Sequence, residues 1–128
     1  MSRPPLNKDT TLCISLAGRP RNIGTRFHNY LSEQLGLDFI YKAFSTTDIV
    51  AAIGGVRALG IRGCSVSMPF KEAVLDLVDD VERSALAIGS VNTIVNGAGV
   101  LTASNTDYIA GQRLIADHRL DPNRSVLI

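Results

Sequence analysis

The sequence predicts an α/β fold: a single domain with an open mixed, mainly parallel sheet, helices on both faces and one antiparallel hairpin. Short buried strands alternate with helical patterns in the first half of the chain, and such an order requires crossover connections and parallel pairing. A turn signal at Asn96-Gly97 between two later apolar runs predicts the hairpin. The chain has 128 residues, 45% of them hydrophobic, which is enough for one core.

Charge and cysteine usage exclude several classes of function. Thirteen basic and twelve acidic residues give a formal net charge of +1, so no basic surface for nucleic acid or a membrane is predicted. The N-terminus has neither a basic region nor a continuous apolar run. Cys13 and Cys64 lie in predicted strands, and their spacing from each other and from the two histidines is not that of a metal site. These features predict a cytoplasmic protein with reduced thiols, a small-molecule ligand and no metal.

The first elements follow in chain order. Residues 1–10 lack periodicity and predict a flexible N-terminal tail, so the domain is expected to span residues 11–118. The predicted strands are at residues 12–17, 39–44 and 61–68. The helices between them are predicted to begin at an N-cap and to end at a glycine: Thr25 and Gly36 for the first, Thr46 or Thr47 and Gly60 for the second.

The second half begins at Pro69, which ends the third strand and suits the first turn of a helix. A helical stripe starts at Phe70, which places Lys71 in the first turn of that helix. The helix dipole makes this end positive, so a lysine there calls for a nearby carboxylate. The other predicted elements are a short helix at residues 82–88, strands at 91–95 and 100–103, and a helix at 106–118.

Three short polar segments fall where predicted strands and helices end or begin. They are Ser65-Val66-Ser67-Met68-Pro69-Phe70-Lys71, Ser90-Val91-Asn92-Thr93 and Asn105-Thr106-Asp107. In this order and spacing they resemble the shikimate dehydrogenase family, whose patterns are Asn-Val-Thr-x-Pro-Phe-Lys, Ala-Val-Asn-Thr and Asn-Thr-Asp. The resemblance covers residues 13–114 and is to the N-terminal substrate-binding domain, including the shikimate-dehydrogenase-like branch. It places the ligand in the crevice at the C-terminal ends of the parallel strands.

The resemblance implies a reversible NADP-dependent reduction of 3-dehydroshikimate to shikimate, or of a closely related ring polyol acid. It also implies that Lys71 and Asp107 are the catalytic pair. A positioned ammonium stabilises the carbonyl oxygen as it gains negative charge and can donate a proton to it, while a carboxylate holds the lysine in its charged form. Two plainer interpretations remain, since Lys71 fits a solvated surface lysine and Asp107 fits an ordinary acid at a helix N-terminus.

Polar side chains in the same segments are the candidates for substrate binding. They are Asn22, Thr25, Ser67, Asn92, Thr93 and Asn105. The family pattern in the first loop is Ser-x-Ser-x-Pro, whose hydroxyls bind the substrate carboxylate, whereas the aligned residues 22–25 of this chain contain no serine. Three arginines in the same segment are further candidates for the acid, or belong to a solvated turn, and the spacing does not choose among them: Arg19, Arg21 and Arg26.

Residues 119–128 are expected to be a linker and the start of a nucleotide-binding domain, with a strand at residues 125–128. Gly97-Ala98-Gly99 does not fit the dinucleotide pattern G-x-G-x-x-G, because Thr102 holds the third glycine position and a strand follows. The cofactor, NADP or NAD, is therefore expected on a domain outside this chain, and the 128 residues alone are expected to be inactive. Two alternatives remain: a quinate- or aminoshikimate-type dehydrogenase, and a non-catalytic metabolite-sensing domain.

Overall fold

The computed structural model describes residues 2–125 and residue 127. The strands in these residues are β1 Thr11–Ala17, β2 Phe39–Ser45, β3 Gly63–Val66, β4 Asp80–Val81, β5 Thr93–Gly97 and β6 Val100–Ser104. The helices are α1 Ile23–Gln34, α2 Ile49–Ala58, α3 Arg83–Leu86 and α4 Thr106–Asp117, with a 3-10 helix at Ala73–Leu77. All the strands belong to one sheet, in the order β2-β1-β3-β5-β6-β4.

The sheet is mixed and mainly parallel, as predicted. Strand β1 pairs in parallel with both β2 and β3, and β4 pairs in parallel with β6. Strand β5 runs antiparallel to β3 and to β6, with which it forms the predicted hairpin. Strand β4 has only two residues and was not predicted.

Helices pack on both faces of the sheet. Successive side chains of a strand point to opposite faces, so Ile14 and Cys13 of β1 lie on different sides. On one side Ile14 joins a buried cluster that includes Ile53 and Val56 of α2. On the other side Cys13 is in register with Tyr41 of β2, against which His28 of α1 packs with ring centroids 4.4 Å apart.

Helix α1 covers the outer edge of β2 with polar side chains. The side-chain amide of Asn29 donates to the Tyr41 carbonyl oxygen (2.7 Å) and accepts from the Tyr41 N–H (3.0 Å), and the Thr25 hydroxyl accepts from the Ala43 N–H (3.1 Å). These bonds satisfy backbone groups that an edge strand would leave free. The prediction of Thr25 as N-cap was therefore wrong, because α1 begins at Ile23 and the hydroxyl is bound to the sheet edge.

The second helix is capped by a different residue from the two predicted. The Asp48 carboxylate accepts from the N–H of Ala51 (3.0 Å), whereas Thr46 uses its hydroxyl to accept from the N–H of Asp48 itself (3.0 Å). The threonine thus shapes the turn that presents the cap. Gly60 ends the helix as predicted, with a φ of 64° in the left-handed region.

The α-helix predicted from Phe70 is also wrong. Its apolar positions form a five-residue 3-10 helix at Ala73–Leu77, and Lys71 lies in the turn before it. Backbone bonds to the sheet side explain the short length, since the Val91 N–H donates to the Lys71 carbonyl oxygen (2.7 Å) and the Asp79 N–H to that of Leu101 (3.0 Å). Residues 72–78 lie between these two anchors, and the 3-10 helix takes up most of them.

The β5–β6 turn lies two residues later than predicted. Asn96 is a buried strand residue whose side chain donates to the Val56 carbonyl oxygen (3.1 Å) and accepts from the Gly99 N–H (2.9 Å). The two turn residues are Ala98 and Gly99, both with positive φ (52° and 90°). This conformation is typical of two-residue hairpin turns.

The chain ends carry the least regular structure. Residues 2–10 form no helix or strand, although Arg3 donates to the Phe39 carbonyl oxygen (3.4 Å) and the Thr10 hydroxyl to Asp38 (2.7 Å); their flexibility stays a prediction. The strand predicted at residues 125–128 lies outside the described residues, which leave out 126 and 128. No helix in the described part of the chain is long and apolar enough to cross a membrane.

Candidate functional site

The three polar segments meet at one edge of the sheet. Strands β1 and β3 end together there, because Leu16 is in register with Val66. Strand β5 begins at the same edge, where Thr93 is in register with Ser65 of β3 and with Ser104 at the end of β6. The loop after β1, the turn after β3, the segment before β5 and the start of α4 therefore share this edge, as predicted for an open α/β sheet.

Lys71 and Asp107 contact each other across this edge. The Lys71 Nζ lies 3.3 Å from the Asp107 Oδ2, although the residues are 36 positions apart in the sequence. The predicted contact is thus confirmed. The Lys71 side chain is 31% exposed and that of Asp107 70% exposed, so solvent reaches both. The pair combines a proton donor and a negative charge at an open cleft.

Backbone bonds fix the position of Lys71. Its carbonyl oxygen accepts from Val91, and the next residue, Asn92, accepts from the Val66 N–H through its own carbonyl oxygen (2.9 Å). The Asn92 N–H in turn donates to the Ser104 carbonyl oxygen (3.1 Å). The turn of Lys71 is therefore held on the strands that lead to α4, the helix of Asp107.

The side chain of Asn92 connects the segment before β5 to the start of α4. Its amide nitrogen donates to the Thr106 hydroxyl (2.8 Å), and its oxygen accepts from the Thr106 N–H and the Thr93 hydroxyl (both 2.9 Å). One amide hydrogen of Asn92 has no partner among these bonds. Thr106, which was not among the predicted site residues, belongs to this cluster. Its position inside the Asn105-Thr106-Asp107 segment was the available signal.

Asn105 has a structural position that the prediction missed. It is only 1% exposed, and its side chain accepts from the Tyr108 N–H (3.0 Å) and donates to the Ser90 carbonyl oxygen (2.8 Å). The first bond makes it the N-cap of α4. The burial and these bonds favour a structural role, and the assignment of Asn105 to substrate binding stays a prediction.

A cavity of about 600 Å³ lies beside the Lys71 turn. It is lined by Gly18, Arg19, Arg21, Ser67, Met68 and Pro69. The loop and the turn that form it pack closely, since the Gly18 N–H donates to the Met68 carbonyl oxygen (3.1 Å) and a Cβ on Gly18 would lie 3.1 Å from Pro69 Cδ. Lys71 and Asp107 do not line the cavity, but Lys71 comes soon after its Ser67–Pro69 wall in the chain.

Five of the six predicted substrate-binding residues do not line this cavity, Thr25 and Asn22 among them. The Thr25 hydroxyl is bound to Ala43, as described above, and Asn22 is the residue before α1, where its carbonyl oxygen accepts from the Arg26 N–H (3.0 Å). Ser67 does line the cavity. Of the three arginines considered for the acid, Arg19 and Arg21 line the cavity whereas Arg26 does not.

The cysteines offer no reactive thiolate. Burial raises the pKa of the Cys64 thiol to about 12 and also raises the pKa of the Cys13 thiol. Both are free thiols. Within residues 2–125 and 127, no group of three or more histidine, cysteine or acidic side chains is placed to hold a metal ion.

The sequence of this chain was compared with models of known protein families. The family model described as the shikimate dehydrogenase substrate binding domain matches residues 23–94, which is more than half of the chain. The chain belongs to the shikimate dehydrogenase family. The match includes the Lys71 turn, the whole of β3 and the segment that leads into β5.

Relatives within the shikimate dehydrogenase family extend well beyond this domain. A shikimate dehydrogenase-like protein of Haemophilus influenzae is 62% identical over 123 residues, which cover 96% of this chain and 45% of the relative. A shikimate dehydrogenase (NADP(+)) of Streptococcus pyogenes is 42% identical over 123 residues, with 91% and 42% covered. A crystal structure of shikimate 5-dehydrogenase from Listeria monocytogenes, in complex with shikimate and NAD, matches with a TM-score of 0.81 at 33% identity, covering 92% of this chain and 42% of that one. The chain thus spans less than half the length of these relatives.

The described residues do not fit the nicotinamide cofactor that the shikimate dehydrogenase family implies. A pyrophosphate requires a glycine-rich turn that leads from a strand into a helix N-terminus. Gly97 and Gly99 instead belong to the β5–β6 hairpin. This domain therefore supplies the substrate side of the site.

Proposed function

We propose that the full-length protein is a shikimate dehydrogenase-type oxidoreductase that reversibly reduces 3-dehydroshikimate to shikimate, or a closely related ring polyol acid, with NADP or NAD. The contact between Lys71 and Asp107 carries this proposal. It joins a proton donor to a carboxylate at the strand-end crevice, from segments 36 positions apart in the sequence. A metabolite sensor without catalysis has no use for such a pair.

Lys71 acts on the oxygen of the substrate carbonyl. As the carbon is reduced, the oxygen gains negative charge, which the ammonium stabilises, and it then takes a proton from Nζ. Asp107 accepts a hydrogen bond from Lys71 and so directs the ammonium. In the reverse direction the neutral amine accepts the proton from the substrate hydroxyl.

Hydroxyl and amide groups beside the pair hold the ring. Ser67 lines the cavity and can offer its hydroxyl, and Asn92 keeps one amide hydrogen for a substrate hydroxyl. Thr93 orients the Asn92 amide through its own hydroxyl bond. These groups select a polyol ring because each one needs a hydrogen-bonding partner when the site closes on its ligand.

The cofactor and the cellular location are part of the same proposal. A separate nucleotide-binding domain of the full-length protein, beginning in residues 119–128, would bind NADP or NAD; the longer relatives named above support this. The 128 residues alone are then inactive, because the described residues provide no cradle for a pyrophosphate. The two free thiols are consistent with a reducing cytoplasm.

A spectrophotometric panel tests the proposal. Purified full-length protein is assayed with NADP and NAD against shikimate, quinate and aminoshikimate, and the 128-residue chain is assayed in parallel. We expect reduction of the nicotinamide with at least one ring acid by the full-length protein and none by the chain alone. Binding of a ring acid without turnover would support the sensor and refute the proposed enzyme.

A further inference from the structure

The cavity beside the Lys71 turn has a strongly basic wall. Arg19 and Arg21 both line it, and no acidic residue occurs in the sequence between Asp9 and Glu33. The first turn of α1, which follows this loop, also has no acidic residue. The dipole of α1 adds further positive potential at the same place. Local carboxylates that would neutralise the two guanidinium groups are therefore missing from the loop and from the first turn of the helix it precedes.

Neither arginine has a partner in the part of the chain that the structure describes. The ion pairs there belong to Arg3, Lys8, Arg57 and Lys71. Arg57 shows what a structural arginine of this protein does, since it binds the Asp79 carboxylate and the carbonyl oxygen of Gly99. Arg19 and Arg21 make no such bonds, although they lie beside a cavity large enough for a ring acid.

The loop is also held in one place relative to Lys71. Pro20, between the two arginines, fixes its own φ and restricts Arg19 before it. Gly18 bonds to Met68 and packs against Pro69, so the loop moves with the turn that carries Lys71. The backbone that carries the arginines is therefore fixed relative to the backbone that carries Lys71. Such a fixed pair of points can position a substrate that has an acid at one end and a carbonyl at the other.

We propose that Arg19 and Arg21 bind the carboxylate of the substrate and determine the specificity of this protein for ring acids, in place of the hydroxyl pair of the Ser-x-Ser-x-Pro pattern. A guanidinium group forms two parallel hydrogen bonds with a carboxylate, which a hydroxyl cannot do. The assignment rests on the proposed function, since it takes the ligand of the cavity to be the ring acid. It predicts that affinity depends on the negative charge of the ligand and falls with salt.

The test compares charged and neutral ligands on the full-length protein. Arg19→Gln, Arg21→Gln and the double variant are titrated calorimetrically with shikimate, quinate and their methyl esters, and their KM and kcat are measured for the acid that is turned over. Arg26→Gln is the control for the single variants, because it removes an arginine from the same segment that does not line the cavity. Arg26→Gln with Arg113→Gln is the charge-matched control for the double variant.

We expect each single variant to weaken acid binding by about tenfold to a hundredfold, the range for a charge-assisted hydrogen bond. The methyl esters should bind the wild type and the variants equally, and KM should change more than kcat. Acid binding within twofold of the control variants would overturn the assignment while leaving the proposed function intact. Conversely, arginine-dependent acid binding without turnover would support the assignment and refute the proposed function. A wild type that binds no ring acid would refute both.

Discussion

Replacing Lys71 with alanine in the full-length protein separates a catalytic lysine from a structural one. The Lys71 Nζ lies 3.3 Å from the Asp107 Oδ2, and the side chain of Asp107 is 70% exposed. An exposed pair of this kind contributes about 0–1 kcal/mol to folding, because water screens it and two long side chains must be ordered. Loss of the pair should therefore leave the melting temperature nearly unchanged.

The same substitution should raise the activation free energy of the reaction far more than it lowers the stability of the fold. A donor aimed at a developing oxyanion is worth about 3 kcal/mol, or roughly a hundredfold in rate, and general acid catalysis by the same group can add to this. We expect kcat to fall by about two to four orders of magnitude with a smaller change in KM, since the group acts mainly in the transition state.

Steady-state kinetics and thermal unfolding of the same preparations check both halves of this prediction. Lys8→Ala is the matched control, because Lys8 also forms an exposed ion pair, with Asp9 at 2.8 Å, but lies far along the chain from the crevice segments. The control should keep the wild-type kcat. A Lys71→Ala variant with an unchanged kcat, or with a kcat that falls only in step with a loss of folded protein, would return Lys71 to a surface role.

The remaining predictions concern packing around the site. Gly18→Ala should raise the KM for the ring acid by about twofold to tenfold, because a Cβ 3.1 Å from the Cδ of Pro69 displaces the turn that precedes the catalytic lysine. Asn105→Ala should lower the free energy of unfolding in urea by about 1–3 kcal/mol, since it leaves the buried Ser90 carbonyl oxygen and the end of α4 without their partner. Asp79→Asn should remove stability that is present above about pH 4 and is lost as the pH falls further, because the Leu101 N–H and Arg57 hold the pKa of this carboxyl below its usual range.

Each of these three substitutions has its own control or a result that would contradict the prediction. Gly54→Ala is the control for Gly18→Ala, because its added Cβ meets no atom within 4 Å. If the two variants have the same KM, Pro69 can move to accept the Cβ at Gly18 without displacing the turn of Lys71. For Asn105→Ala, full stability combined with a raised KM would restore the residue to substrate binding. Urea unfolding of Asp79→Asn and wild type from pH 3 to pH 7 should converge at the acid end, and a constant difference would contradict the pKa argument.

The parallel pairing of the first three strands and the β5–β6 hairpin could be predicted from the sequence, because they depend on local patterns. Strand and helix alternation requires crossovers, and crossovers bring the ends of parallel strands to one edge. The register of Leu16 with Val66 and of Ser65 with Thr93 is the structural result. The meeting of Lys71 and Asp107 was predicted from the family resemblance of their segments and not from the strand pattern.

Elements that depend on partners distant in the sequence could not be predicted from such local patterns. Strand β4 is two residues long and exists because Asp80 and Val81 pair with Thr102 and Ala103 of β6. Pairing with β6 also limits the helix that the apolar spacing after Phe70 predicts, because the chain must leave the helix to join this strand. Propensity acts over a few residues, and here backbone bonds to the sheet outweigh it.

Side-chain contacts could not be predicted from local sequence patterns where the partner is distant along the chain. Thr25 looked like a helix cap and a ligand group, but the free N–H of Ala43 on the sheet edge takes its hydroxyl. The burial of Asn105 likewise depends on the fold around it. The arginines of the first loop could be proposed as anion ligands from sequence, and the cavity distinguishes Arg19 and Arg21 from Arg26.

The start of α4 explains why Asp107 is available to Lys71. The carboxylate of an acidic residue in the first turn of a helix commonly accepts hydrogen bonds from the free backbone N–H groups there. This was the plain interpretation of Asp107. In this protein Asn105 caps the helix by accepting from Tyr108, and the Asn92 side chain accepts from the Thr106 N–H. Two free N–H groups thus have partners already, and the Asp107 carboxylate extends to the lysine instead. The buried asparagine serves the site indirectly, by leaving the aspartate free for the ion pair.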